Sequence, residues 1–271
     1  MSQKVRTEMS RNGPVSLSVA LAMVVASCSS CVAVHWKSID FNKYTLYYTV
    51  ADEANTAEYT GFLNEGVHTA ESFFGQPFKH RFSVYIHPHR SSLDSAWRVD
   101  WKEPDLRSEC WMVASGVASK LDLISPGVWD GEACEHSYTD TLATRRLITH
   151  ELVHVYHGQW NKSPDFSDVQ GIDWFVEGLA TYASGQCDTT RIRAVKQAII
   201  GNAIPPSLDG FWSGKLKYGL SGSLVMYLDH TYGRKMVIEL LPMNTRSGIL
   251  KALGVSEAEL LGAWSLFVKS L

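Results

Sequence analysis

Apolar and polar positions along the chain change their spacing four times. Residues 15–27 (VSLSVALAMVVAS) are apolar and small without a polar face. Residues 44–50 (YTLYYTV) are aromatic and β-branched and predict a strand, as does the alternating run 81–87 (RFSVYIH). Between them, 55–74 opens with Asn55 and Thr56, both able to cap, and then places Tyr59, Phe62, Leu63, Val67, Ala70 and Phe73 at helical spacing. Residues 110–123 (CWMVASGVASKLDL) predict a third strand or a hairpin, with Gly116 near its turn. From Thr139 onward the spacing is helical, interrupted at 158–171, at 201–214 with Pro205 and Pro206, and at 241–248 with Pro242. The pattern predicts an α+β chain, a small N-terminal β-sheet with helices at 43–138 followed by a mainly helical part at 139–271.

The first regime lies outside that fold. Lys4, Arg6 and Arg11 precede the apolar run, the layout of a cleaved secretory signal at 1–27. Thirteen residues make a helix of about 20 Å, short of the roughly 30 Å a membrane core needs. Val25, Ala26, Ser27 and Cys28 resemble a bacterial lipobox, which implies a lipid on Cys28, a tether at 28–42 and an exported, membrane-anchored lipoprotein; ordinary cleavage near Ala26 is the alternative.

The full chain has 271 residues, of which 45% are hydrophobic and 20% charged, enough for a folded domain with a real core. Its formal net charge of −3 gives no basic excess for phosphate, so nucleic acid is not expected as a partner. With Cys28 set aside, Cys31, Cys110, Cys134 and Cys187 allow three pairings. Cys110 with Cys134 is the first choice, and none of the four has the spacing of zinc ligands.

The chemistry concentrates at His150-Glu151-Leu152-Val153-His154, a HExxH motif inside a helical pattern running from about Thr139 to His157. Successive helical residues turn by about 100°, so the two histidines share a face one turn apart and can meet at one ion. Glu151 lies one step round the helix, placed to act on a water rather than to ligate. A catalytic zinc site needs a third protein ligand. The HExxHxxGxxH arrangement fails, because residues 157 and 160 are His157 and Trp160. Glu177 is the better candidate, a single carboxylate in the apolar run 174–184 (WFVEGLATYAS), where a shared cation would compensate its charge.

HELVH followed after 22 residues by the glutamate of WFVEGLATY resembles the gluzincin zinc metallopeptidases, and within them the peptidase MA-like domain and the aminopeptidase-N-type family, marked by HExxH and then W-x-x-E-G-x-A. Residues 218–228 (YGLSGSLVMYL) are similar to the helix that begins with that family's transition-state tyrosine. The resemblance spans about 44–232. It implies a thermolysin-like catalytic domain, one Zn²⁺ per chain held by His150, His154 and Glu177, Glu151 as general base towards a metal-activated water, Tyr218 as oxyanion donor, and a peptide or protein substrate.

Two features depart from that family. No G-x-M-E-N string occurs between Phe82 and Ser125, so the resemblance does not imply aminopeptidase specificity, and no flanking large domains are expected. A zinc hydrolase of other acyl substrates and a catalytically silent envelope scaffold are the alternatives. Of the remaining candidates, His157 reads as a solvated histidine at a helix end, Asp173 as the N-cap before Trp174, and His87 and His89 as a turn at a strand end.

Overall fold

A computed structural model describes residues 34–271. The expected signal at 1–27, Cys28 and Cys31 lie outside the described residues. Strands β1 (Lys37–Asp40), β2 (Tyr44–Tyr48), β3 (Phe82–His87), β4 (Ala114–Val117) and β5 (Lys120–Ile124) form a mixed sheet in the order β1-β2-β3-β5-β4. β2, β3 and β5 run parallel, while β1 and β4 pair antiparallel at the two edges. β1 falls inside the stretch expected as a tether. Its KSID sequence is mostly exposed and shows no apolar alternation, so only its pairing with β2 marks it as a strand.

Helix α1 (Thr56–Phe74) crosses from β2 to β3 and buries Tyr59, Phe62, Leu63, Val67, Ala70 and Phe74, with Phe73 half-buried. Neither expected cap residue bonds the helix N-terminus; a 3₁₀ turn over Val50–Asn55 runs into it, and Thr56 Oγ1 donates to the Glu53 carbonyl at 3.0 Å. Helix α2 (Arg90–Asp100) follows β3 and is capped by His89, whose ring Nδ1 accepts from the Ser92 N–H at 3.1 Å. The 110–123 segment is a hairpin, but Gly116 lies within β4 and not at the turn. Cys110 and Cys134 form a disulfide, and Cys187 is free and buried.

After the short α3 (Trp129–Glu132) the chain enters α4 (Thr141–Trp160), capped by Asp140, which accepts from Ala143 N–H at 3.0 Å. From Ile148 to Gln159 every residue of α4 except Glu151 is buried, so this segment shows no clean amphipathic stripe: enclosed on all sides, it buries Thr149, His150, His154, His157 and Gln159 together with its apolar residues. α1 and the sheet enclose it on one side, with Phe74 stacked on Tyr156 at 4.1 Å between ring centroids. Helices α5 (Asp173–Ala183), α6 (Thr189–Ile200), α7 (Lys217–Leu240), α8 (Arg246–Leu253) and α9 (Glu257–Ser270) complete the helical part, α7 breaking at Gly233 where φ is 82°. No helix among the described residues is long and apolar enough to cross a membrane.

Candidate metal centre

Glycine contacts set the geometry of the site. An added Cβ at Gly116 would lie 2.2 Å from the Glu151 carbonyl oxygen and 3.1 Å from His154 Cβ, so only glycine lets β4 lie directly on the helix that carries the motif. A Cβ at Gly178 would lie 2.4 Å from the Ser221 carbonyl oxygen, so α5 and α7 are in backbone contact one residue beyond Glu177. The fold thereby draws together β4, the middle of α4, α5 and the first turns of α7.

At that junction His150 Nε2 lies 3.0 Å from His154 Nε2 and 3.3 Å from Glu177 Oε2, and His154 Nε2 lies 3.5 Å from the same oxygen. Among the described residues these are the three side chains grouped so that they could hold a metal ion. Ligand atoms about 2.0–2.1 Å from a tetrahedral zinc stand about 3.3 Å from one another, so the observed triangle fits that ion. The two histidines are 6% exposed each and the Glu177 side chain 25%, which leaves one open side. The Nδ1 atoms of both rings are buried without a hydrogen-bond partner among the described residues, so Asp173 orients neither. Asp173 is exposed and is the first residue of α5, with Ile172 at the cap position; its charge complements the helix N-terminus without bonding it.

Electrostatics distinguish the two carboxylates. Burial would raise the Glu177 pKa, but the His154 and His150 imidazoles more than offset this and hold its carboxyl well below the usual range. Burial dominates at Glu151 and raises its pKa, with His154 and His150 pulling the other way. At His154 burial opposes the charge and Glu177 and Glu151 overcome it, so its pKa is raised.

Tyr218, the second residue of α7, stands edge-on to His150 with ring centroids 6.2 Å apart. Burial, reinforced by Glu177 and Glu151, pushes its phenol above its ordinary pKa, so the hydroxyl stays protonated and can donate. His157 is not a solvated helix-end residue. It is fully buried, packs against Phe166 and Phe175, and places Nε2 3.2 Å from the Leu241 carbonyl, because α4 continues a further turn beneath the 241–245 segment. His87 closes β3 in a buried network with Asp122 and Ser92, each at 3.0 Å.

The M1 zinc metallopeptidase from Deinococcus radiodurans is similar in structure. It aligns with a TM-score of 0.48 at 14% identity over 87% of this chain and 52% of its own. A mutant two-domain M1 zinc metallopeptidase bound to L-tryptophan aligns at 0.42 and 15% identity, over 84% of this chain and 50% of its own. The chain thus spans about half the length of these structures. No protein-family model and no curated protein matches the sequence.

Sequence reasoning assembles the two histidines, both glutamates and Tyr218 but not their surroundings. Phe166, at φ 59° in the loop after α4, faces His154 with centroids 6.1 Å apart. Trp212 stands edge-on to Tyr218 at 4.9 Å, and Lys217 lies over the rings of Trp111, Trp212 and Tyr218. The glycine after Glu177 is the available signal for the α5–α7 contact.

Proposed function

We propose that this chain is an exported zinc-dependent metallopeptidase, with His150, His154 and Glu177 as ligands, Glu151 as general base and Tyr218 as oxyanion donor. The observation that carries the reading is the meeting of three ligand atoms within 4.8 Å of one another, with Glu151 and Tyr218 at their side. A bound zinc would supply the positive charge that acidifies water and polarises a carbonyl. Glu151 takes a proton from the attacking water and delivers it to the leaving amine nitrogen. The Tyr218 hydroxyl donates to the oxygen that gains charge as the carbonyl becomes tetrahedral, a bond strongest in the transition state.

A peptide substrate is favoured by β4, which ends the strand order and packs on the helix of Glu151. An edge strand offers unpaired N–H and C=O groups to an extended chain, and a non-peptide acyl substrate has no use for them. Export rests on the charged and apolar layout of 1–27, and membrane attachment on a lipid at Cys28. Zinc analysis of the mature protein combined with a peptide-library digest tests the enzyme reading: about one zinc per chain with discrete cleavage products supports it, and bound zinc with no cleavage by the parent would replace it with the scaffold reading. Mass analysis of the mature N-terminus tests the export reading; a diacylglyceryl cysteine at position 28 is expected, and an unprocessed chain would refute it.

A further inference from the structure

Beside Tyr218 lies a cation that forms no ion pair among the described residues. Lys217, the first residue of α7, holds Nζ 4.5 Å from the ring centroid of Trp111, 4.7 Å from that of Trp212 and 5.2 Å from that of Tyr218. Three aromatic faces fix an ammonium by cation–π attraction, but they bring no net charge to neutralise it and leave its N–H donors without oxygen acceptors. No ion pair or side-chain hydrogen bond among the described residues engages it. Glu135, near enough to raise the Tyr218 phenol, does not pair with it. The neighbouring Arg191, 5.9 Å from the Tyr218 centroid, is committed elsewhere: its Nη1 donates to the Gln186 carbonyl at 2.8 Å and pairs with Asp188 at 3.9 Å. Among the described residues Lys217 is therefore a cation beside Tyr218 without an ion-pair partner, and Trp111 is anchored beside it by the adjacent Cys110–Cys134 crosslink.

Its position relative to the metal centre follows from the shared ring. Tyr218 lies 6.2 Å from the His150 ring and 5.2 Å from Lys217 Nζ, so the ammonium is within about 11 Å of that histidine. An extended peptide advances about 3.3 Å per residue, so this reach is no more than about three residues. Cation–π contact with three rings holds the ammonium in place while leaving its formal charge and its N–H donors available to an anionic partner.

We propose that Lys217 recognises a carboxylate of the substrate within about three residues of the bond that is cut, supplied by an acidic side chain or by the free C-terminus of a short peptide. The proposal deepens the peptidase reading and rests on it. Lys217 acts in binding and specificity, and Tyr218 and Glu151 keep their roles.

The test uses alanine-rich peptides in which one glutamate is walked along the sequence, each with a glutamine twin, and each made as free acid and as C-terminal amide. They are given to the zinc-loaded protein and to its Lys217→Met and Lys217→Arg variants. At one glutamate position, or with the free C-terminus, the parent is expected to show kcat/KM about tenfold above the neutral twin. Lys217→Met should reduce that ratio to within about twofold, Lys217→Arg should retain it, and all three proteins should cut neutral peptides at similar rates. A ratio unchanged in Lys217→Met overturns the proposal. So does an equal loss on charged and neutral peptides, which would assign Lys217 to holding Tyr218 in place. The same peptides titrated calorimetrically into the Glu151→Gln protein separate this proposal from the peptidase reading. If the parent cuts nothing, the peptidase reading fails, while a tenfold affinity difference lost in Lys217→Met still upholds carboxylate recognition. Equal or undetectable binding of acid and neutral twins overturns it.

Discussion

Replacing Gly178 with alanine tests whether the α5–α7 contact sets the site. Gly178 is helical, and in an isolated helix the change would stabilise by about 1 kcal/mol. Here the new methyl would lie 2.4 Å from Ser221 O, 2.7 Å from Ser221 C and 3.0 Å from Val225 Cγ2. The two nearest atoms are backbone, so relief requires α5 and α7 to separate by about 1 Å, against an ordinary contact near 3.4 Å. Overpacking of this kind costs about 1–3 kcal/mol, so against the helix gain of about 1 kcal/mol the net change should be a loss of about 0–2 kcal/mol. Gly61→Ala in α1 is the control, because its Cβ meets nothing within 4 Å and the helix gain should appear undiminished. The separation would also carry Glu177 away from Tyr218, and a misplacement of about 1 Å costs on the order of 100-fold in turnover. Urea unfolding of the zinc-loaded proteins measures the first effect and kcat on a cleaved peptide the second. If Gly178→Ala proved as stabilising as Gly61→Ala and kept full turnover, the contact would have no part in building the site.

Four further perturbations have expected outcomes. Glu151→Gln should keep about one zinc per chain while lowering kcat by roughly two to four decades, read by metal analysis alongside peptide hydrolysis. Tyr218→Phe should lower kcat by about two to three decades with KM little changed; a change confined to KM would place the hydroxyl in ground-state binding. Burial foremost, with His154 nearby, lowers His157 to about 3 against 6.5 in the unfolded chain. The unfolded state therefore binds the extra proton first, and the stability from a neutral His157 is complete above pH 6.5 and is lost as pH falls towards 3, at up to about 1.4 kcal/mol per unit. Urea unfolding of His157→Gln should show a shallower acid slope than the parent, and equal slopes would refute the assignment. Removing the Cys110–Cys134 bridge with paired alanines should cost about 3 kcal/mol by the loop-closure argument for a separation of 24 residues, measured as a fall in the urea midpoint.

Strong local periodicity makes α1, β2 and β3 legible in the sequence alone, because each buries one face and leaves the other partly exposed. α2 escapes the pattern for a local reason: its N-terminal cap is the ring nitrogen of His89, a residue seldom read as a cap. β1 escapes it because an edge strand of four mostly exposed residues needs no apolar pattern, only a partner. His157 reads wrongly because residues near a helix end are usually solvated, whereas α4 is covered along its length by segments distant in sequence, including Leu241.

The site divides along the same line. His150, Glu151 and His154 are fixed by helical spacing alone, and Glu177 by the cost of a carboxylate in an apolar helix, so short-range rules find them. What turns these residues into one centre is long-range: two glycines that admit a strand to α4 and α7 to α5, and an α7 whose first turn brings Tyr218 to His150. A glycine inside a helix or strand looks like a defect in a one-dimensional pattern, since it weakens the element that contains it. At Gly116 and Gly178 that local loss is offset by a backbone approach that no other residue permits, and both approaches lie beside the cluster of His150, His154 and Glu177. A glycine beside a chemical motif, at a place where propensity argues against it, therefore predicts which element of the fold packs on that motif.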